Sequence, residues 1–112
     1  MNRPISVIKG YHAHVYYHKE SKDKATWLRD QIAQKFAVKL GRWHDKEVGP
    51  HKASMYQVAF LPQEFNKIVP WLMINRQGLD ILVHPETGND LEDHTENALW
   101  LGNKLDLKLS VF

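Results

Sequence analysis

The segment Tyr11–Tyr17 (YHAHVYY) does most to limit what this chain can fold into. Aromatic and β-branched side chains favour an extended backbone, and here they recur with period two. In a strand, Tyr11, Ala13, Val15 and Tyr17 share one face, while His12, His14, Tyr16 and His18 share the other. The pattern predicts a strand over residues 5–18, ending near His18.

The remaining elements follow from periodicity and punctuation. Ser21 reads as the N-cap of a helix that runs to about Val38 and buries Ala25, Leu28, Ile32 and Phe36. Gly41–Val48 and Ser54–Leu61 read as strands on either side of the Gly49-Pro50-His51-Lys52 turn. Pro62 opens a second helix with Phe65, Ile68, Val69, Leu72 and Met73 on one face. Pro70 is expected to kink or split that helix near Val69. Leu79–His84 is the next strand, followed by a turn, a helix over Leu91–Leu101 stopped by Gly102, and a strand over Lys104–Phe112. The order is β-α-β-β-α-β and then α-β. That predicts an α+β fold, a ferredoxin-like antiparallel sheet with an extra C-terminal helix and edge strand, as one domain over residues 1–112. Two helices cover one sheet face, the first strand is central, and His12, His14 and Tyr16 look out from an open second face. The tail sets Leu105, Leu107, Leu109 and Val111 on one side, so a homodimer is expected to cover that edge.

Composition removes whole classes of function. The chain has no cysteine, which excludes a disulfide framework, a thiolate metal site and a cysteine nucleophile. Its formal charge is +2 with the basic residues scattered, so there is no nucleic-acid footprint. No apolar run spans a membrane, and MNRPISVIKG lacks the apolar core of a secretory signal, so a cytoplasmic location is expected. A glycine-rich phosphate loop is absent as well.

Against that background, 7 histidines stand out: His12, His14, His18, His44, His51, His84 and His94. His12 and His14 sit on one strand face about 6.5–7 Å apart at Cα, a span that two imidazoles can bridge to one metal. His84 ends the strand that this topology places beside the first, so it can supply a third ligand. His51 follows Gly-Pro and can fold over the same face, and Glu86 is the nearest carboxylate to His84. Three nitrogens, or two and a carboxylate, with open positions left over, are how non-haem Fe(II) oxygenases bind their metal. The plainer alternative is that His44, His84 and His94 hydrogen-bond Asp45, Glu86 and Asp93 while His12 and His14 are solvated. Trp43, beside His44, could line a pocket for an aromatic ring.

The segments YHAHVYY (11–17), GRWHDKEVGPH (41–51), YQVAF (56–60), VPWLMINRQGLDILVHPETGNDLEDH (69–94) and ALWLG (98–102) resemble the DOPA 4,5-dioxygenase family of small aromatic ring-opening dioxygenases. The resemblance covers nearly the whole chain in order. It implies a ferredoxin-like fold, dimers, a non-haem Fe(II) centre and extradiol cleavage of a catechol by O₂. Joined to the residue reading, it puts Fe(II) on His14, His84 and a third group, His51 or His12 and less readily Glu86. His94 and His44 are the candidates for acid and base, because an imidazole titrates near working pH. Tyr16 and Trp43 would contact the ring, and Arg42 or Arg76 could hold a substrate carboxylate. His18 lies outside these motifs. The rivals are a cofactor-free monooxygenase or isomerase of dimeric ferredoxin-like type, and a non-enzymatic ligand-binding or dimerisation module.

Overall fold

β1 (Tyr11–Tyr17) lies at the centre of a five-stranded sheet in the computed structural model, which describes residues 2–112. It pairs antiparallel with β3 (Ser54–Phe60) on one side and β4 (Ile81–Pro85) on the other. A short β2 (Lys39–Leu40) extends the sheet beyond β3, and β5 (Leu99–Leu101) extends it beyond β4. The order is β2-β3-β1-β4-β5, with every neighbouring pair antiparallel. The α+β class is as the sequence indicates. No helix among the described residues is long and apolar enough to cross a membrane.

The two faces of β1 separate as the alternation requires. Ala13, Val15 and Tyr17 join Tyr56, Val58, Ile81 and Val83 beneath α1 (Lys22–Lys35) and α2 (Phe65–Asn75). Leu28 and Ile32 of α1 and Ile68 and Leu72 of α2 are fully buried there. Each such side chain stabilises the fold by roughly 1.5–3 kcal/mol. α2 runs unsplit through Pro70, contrary to the expected break. Pro70 and Asn66 are both exposed, so the carbonyl that loses its helical donor faces water.

The second face is not open. Tyr16, Met55 and Leu82 are buried on it beneath Val48, Ala53, Ala98, Trp100, Leu105 and Leu107. Several further expectations change with that roof. The stretch before β1 is a 3-10 turn at Ile5–Val7, so the strand starts only at Tyr11. Gly41–Val48 is not a strand. The Tyr17 hydroxyl donates to the Asp45 carboxylate (2.7 Å) and the His44 carbonyl (3.2 Å), drawing the segment across the end of β1 with isolated bridges only, His44 to Met55 and Val48 to His51. The predicted helix over Leu91–Leu101 shrinks to one turn, α3 (Asp90–Asp93), capped by the Asn89 side chain, and Leu99–Leu101 instead satisfies the edge of β4. Gly102 ends β5, with φ +86. The tail is not an edge strand: Lys108 N–H donates to the Pro50 carbonyl (2.8 Å), Leu107 bridges His51, and Leu105 and Leu107 pack onto the chain's own sheet. The amphipathic edge on which the dimer expectation rested is therefore absent.

Candidate metal centre

Five histidines converge between the sheet and its roof. His12 of β1 lies directly opposite His84 of β4, and His14, opposite Leu82, is diagonal to His84 on the same face. Their rings meet, with Nε2 of His14 3.0 Å from Nε2 of His84. His51 comes down from the roof, its backbone paired with Val48 and bridged to Leu107. His94 follows α3, its N–H donating to the Asp90 carbonyl (3.1 Å). Ring centroids are 4.1 Å apart for His14 and His51, 4.0 Å for His84 and His94, and 5.2 Å for His12 and His84. His14, His51, His84 and His94 are all buried, and His12 is half-buried.

Hydrogen bonding orients most of these rings. A carbonyl oxygen can only accept, so Nδ1–H of His84 donates to Pro85 (3.0 Å) and Nδ1–H of His94 donates to Asp90 (2.7 Å). Nδ1 of His51 shares a 2.7 Å bond with the Tyr16 hydroxyl, and Nδ1 of His12 lies 3.1 Å from Glu86 Oε1. The exception is Nδ1 of His14, which is buried without a partner. Leaving such an atom unpaired costs about 1–3 kcal/mol, so it asks for an explanation. Burial pushes the His84 imidazole down to about 3 and, with His94 and His44 close by, that of His51 to about 4. Burial and the neighbouring histidines hold His14 well below the usual imidazole range. These rings are neutral near pH 7, the state in which an imidazole nitrogen offers a lone pair to a metal. Two triads bring one ligand nitrogen per residue within 4.8 Å of one another: His12, His14 and His84, and His14, His51 and His94. The donor set and the orphaned Nδ1 fit a resident divalent cation of borderline softness, such as Fe(II).

The model of the Dopa 4,5-dioxygenase family matches residues 11–111, from the start of β1 into the tail. The chain belongs to that family. An uncharacterised 21.2 kDa protein of Botryotinia fuckeliana is 34% identical over 95% of this chain and 65% of its own length. A DOPA 4,5-dioxygenase of Amanita muscaria is 32% identical over 94% of this chain and 50% of its own length. The chain thus spans about half to two thirds of these curated relatives. A crystal structure from Nostoc punctiforme, described as a "putative dioxygenase", is 53% identical with a TM-score of 0.97, covering 98% of this chain and 96% of that one.

Within this Dopa 4,5-dioxygenase family member, the remaining candidate residues scatter. Trp43 lies on the helix side of the sheet, edge-on to Tyr17 and Tyr56 and under the Arg29 guanidinium (5.3 Å), so it cannot line a pocket at the histidines. Arg76 is spent on the carbonyls of Leu79 (3.0 Å) and Met73 (3.1 Å) at the end of α2. Arg42 is exposed. Tyr16 is at the centre but faces inward, stacked on Trp100 (5.9 Å) with its hydroxyl on His51. His44 pairs through its backbone with Met55 and belongs to neither triad. His18 is exposed beyond β1. Glu86 braces His12, and lies 3.5 Å from Nδ1 of His84. The sequence reading missed one further participant and gave another a different part. Phe112 lies against His94 at 4.7 Å between ring centroids. Asp93, fully buried, accepts from the Thr87 N–H (2.8 Å), the Thr87 hydroxyl (2.7 Å) and the Asn97 amide (3.1 Å), which sets the loop that carries His94. Three hollows reach the cluster, one of them, about 340 Å³, opening on His84 beside Tyr11 and Phe65. A groove of about 600 Å³ opens on His12 and Glu86 beside Lys9 and Lys39, and a cavity of about 460 Å³ opens on His94 beside Trp100.

Proposed function

We propose that this chain is a non-haem Fe(II)-dependent dioxygenase that opens a catechol ring by extradiol cleavage, with both atoms of O₂ ending in the product. The observation that carries the reading is the buried nest of imidazoles, with the unpartnered nitrogen of His14 inside it, in a member of the Dopa 4,5-dioxygenase family. His14 is common to both triads, so it is the indispensable holder of the metal. When bound, Fe(II) supplies a Lewis acid for the two catechol oxygens and a route for electrons from catecholate to O₂. The four-strand order β2-β3-β1-β4 supports the ferredoxin-like assignment of the scaffold.

The protein's own residues divide the remaining work. His12 is the half-buried member, on the groove, and Glu86 pins its Nδ1–H. Its Nε2 is placed to take a hydroxyl proton from a catechol in that groove. His94, earlier a candidate for that role, is buried in a triad and suits metal holding better. His44 stands outside. Leu105, Leu107 and Trp100 pack over Tyr16, Met55 and Leu82 and line the cavity that opens on His94.

Oxygen uptake tests the reading. Protein stripped of metal and reconstituted anaerobically with Fe(II) should consume one O₂ per catechol, yield a yellow ring-opened product, and stop when a chelator is added. Turnover of monophenols as fast as catechols, or uptake that the chelator leaves untouched, would overturn it.

A further inference from the structure

Two triads share His14, and the hydrogen-bond network distinguishes them. The chain of logic starts at the Pro85 carbonyl, which can only accept, so the proton of His84 is on Nδ1 (3.0 Å) and its Nε2 carries a lone pair. Nε2 of His14 lies 3.0 Å from that lone pair, and with no cation between them two bare nitrogens would repel at such a distance. The His14 proton is therefore on Nε2, donating to His84. Its lone pair is then on Nδ1, the buried atom with no partner.

We infer that a divalent cation is held by Nδ1 of His14 together with Nε2 of His51 and Nε2 of His94, and that His84 is a positioning residue rather than a ligand. This assignment rests on the metal reading above and deepens it. His94 fits because Asp90 holds its Nδ1–H, leaving Nε2 bare (2.7 Å). His51 fits because the Tyr16 oxygen can accept its Nδ1–H (2.7 Å), with the same result. Every ring nitrogen of the triad is then paired or bound, and the phenol proton of Tyr16 is left to water in the hollow that Tyr16 lines. The competing triad of His12, His14 and His84 needs the bare Nε2 of both His14 and His84, which puts a proton on His14 Nδ1 with no acceptor in reach. That burial costs about 1–3 kcal/mol. The carbonyl–His84–His14 relay is the outer support that metal-bound histidines usually have, extended by one ring.

The test reads metal ligands directly, in the full chain loaded with Co(II). Each histidine bound through one nitrogen keeps an N–H on the other, which gives a strongly shifted, exchangeable proton signal. The wild type should show three. His84→Gln should keep all three, since the Gln carbonyl accepts from His14 and its amide donates to Pro85, while Co(II) affinity drops about 10–100-fold. His51→Gln and His94→Gln should each lose one signal. Loss of a signal in His84→Gln, with all three kept in His94→Gln, overturns the assignment but leaves the metal reading standing. Failure of the wild type to bind Co(II) overturns both. Should a variant not fold, the ¹⁵N imidazole spectrum of Zn(II)-loaded wild type decides alone. One ring bound through Nδ1 and two through Nε2 is expected, and binding through Nε2 only refutes it.

Discussion

Acid should destabilise the metal-free protein well above the range in which its carboxylates titrate. Burial lowers His51 to about 4 and His84 to about 3, against about 6.5 for an unfolded histidine. The sign follows from proton uptake. Below about pH 6.5 the unfolded chain binds protons that these two folded rings refuse, so stability is present above that value and is lost as pH falls toward the folded values. At about pH 5 each ring contributes a loss of about 2 kcal/mol relative to neutral pH, hence on the order of 4 kcal/mol together. His14 and His12 are shifted in the same direction and add to it. With a urea slope of about 1–2 kcal/mol/M for a domain of this size, the midpoint should fall by about 2 M or more. The assay is urea unfolding of chelator-treated protein at about pH 7.5 and about pH 5, followed by tryptophan fluorescence, alongside the His51→Gln/His84→Gln double variant. An unchanged midpoint in the wild type, or the full shift surviving in the double variant, would refute the reasoning.

Two further substitutions probe the supports of the nest. Asp93→Asn should cost about 2–3 kcal/mol, because an amide cannot accept all three donors that now converge on the buried carboxylate. The melting temperature should fall by about 8–15 °C in calorimetry, and an unchanged value would show that the loop does not depend on Asp93. Tyr16→Phe removes the hydroxyl from His51 and should cost about 1 kcal/mol in stability and about 10-fold in metal affinity. Competition with a chromophoric chelator measures the affinity, and equal values would mean that His51 is oriented without Tyr16.

The parts of the fold legible in the sequence are those where one local pattern has one reading. YHAHVYY could only alternate as a strand, and it put His12 and His14 on the face that β4 brings His84 to. The C-terminal third was misread because its patterns have two readings. Leu91, Ala98 and Leu101 recur at helical spacing, yet an unpaired edge on β4 recruits Leu99–Leu101 as a strand. The alternating leucines of the tail report an extended chain buried on one side, and the buried side is the sheet's own second face rather than a ladder. The same roof bears on how the site assembles. His14 and His84 meet through strand register, which topology dictates, whereas His51 and His94 reach them from loops whose course depends on Asp93, Tyr17 and Pro50. Trp43 was misplaced because its neighbour in sequence, His44, sits on the other side of the sheet edge.

The nest draws on four separate stretches of chain: β1, the loop before β3, β4 and the turn after α3. In a molecule without cysteine, a cation at His14, His51 and His94 would serve as its cross-link, tying the tail-bearing roof to the central strand. Unlike a disulfide, such a tie forms only after residues far apart in sequence have assembled, so it favours the finished fold over every partly built one. At a free metal concentration about 1,000 times the dissociation constant it would add about 4 kcal/mol, comparable to the opposing effect of acid on the empty nest. Metal supply, as much as temperature or pH, would then set how much of this chain persists in the folded state.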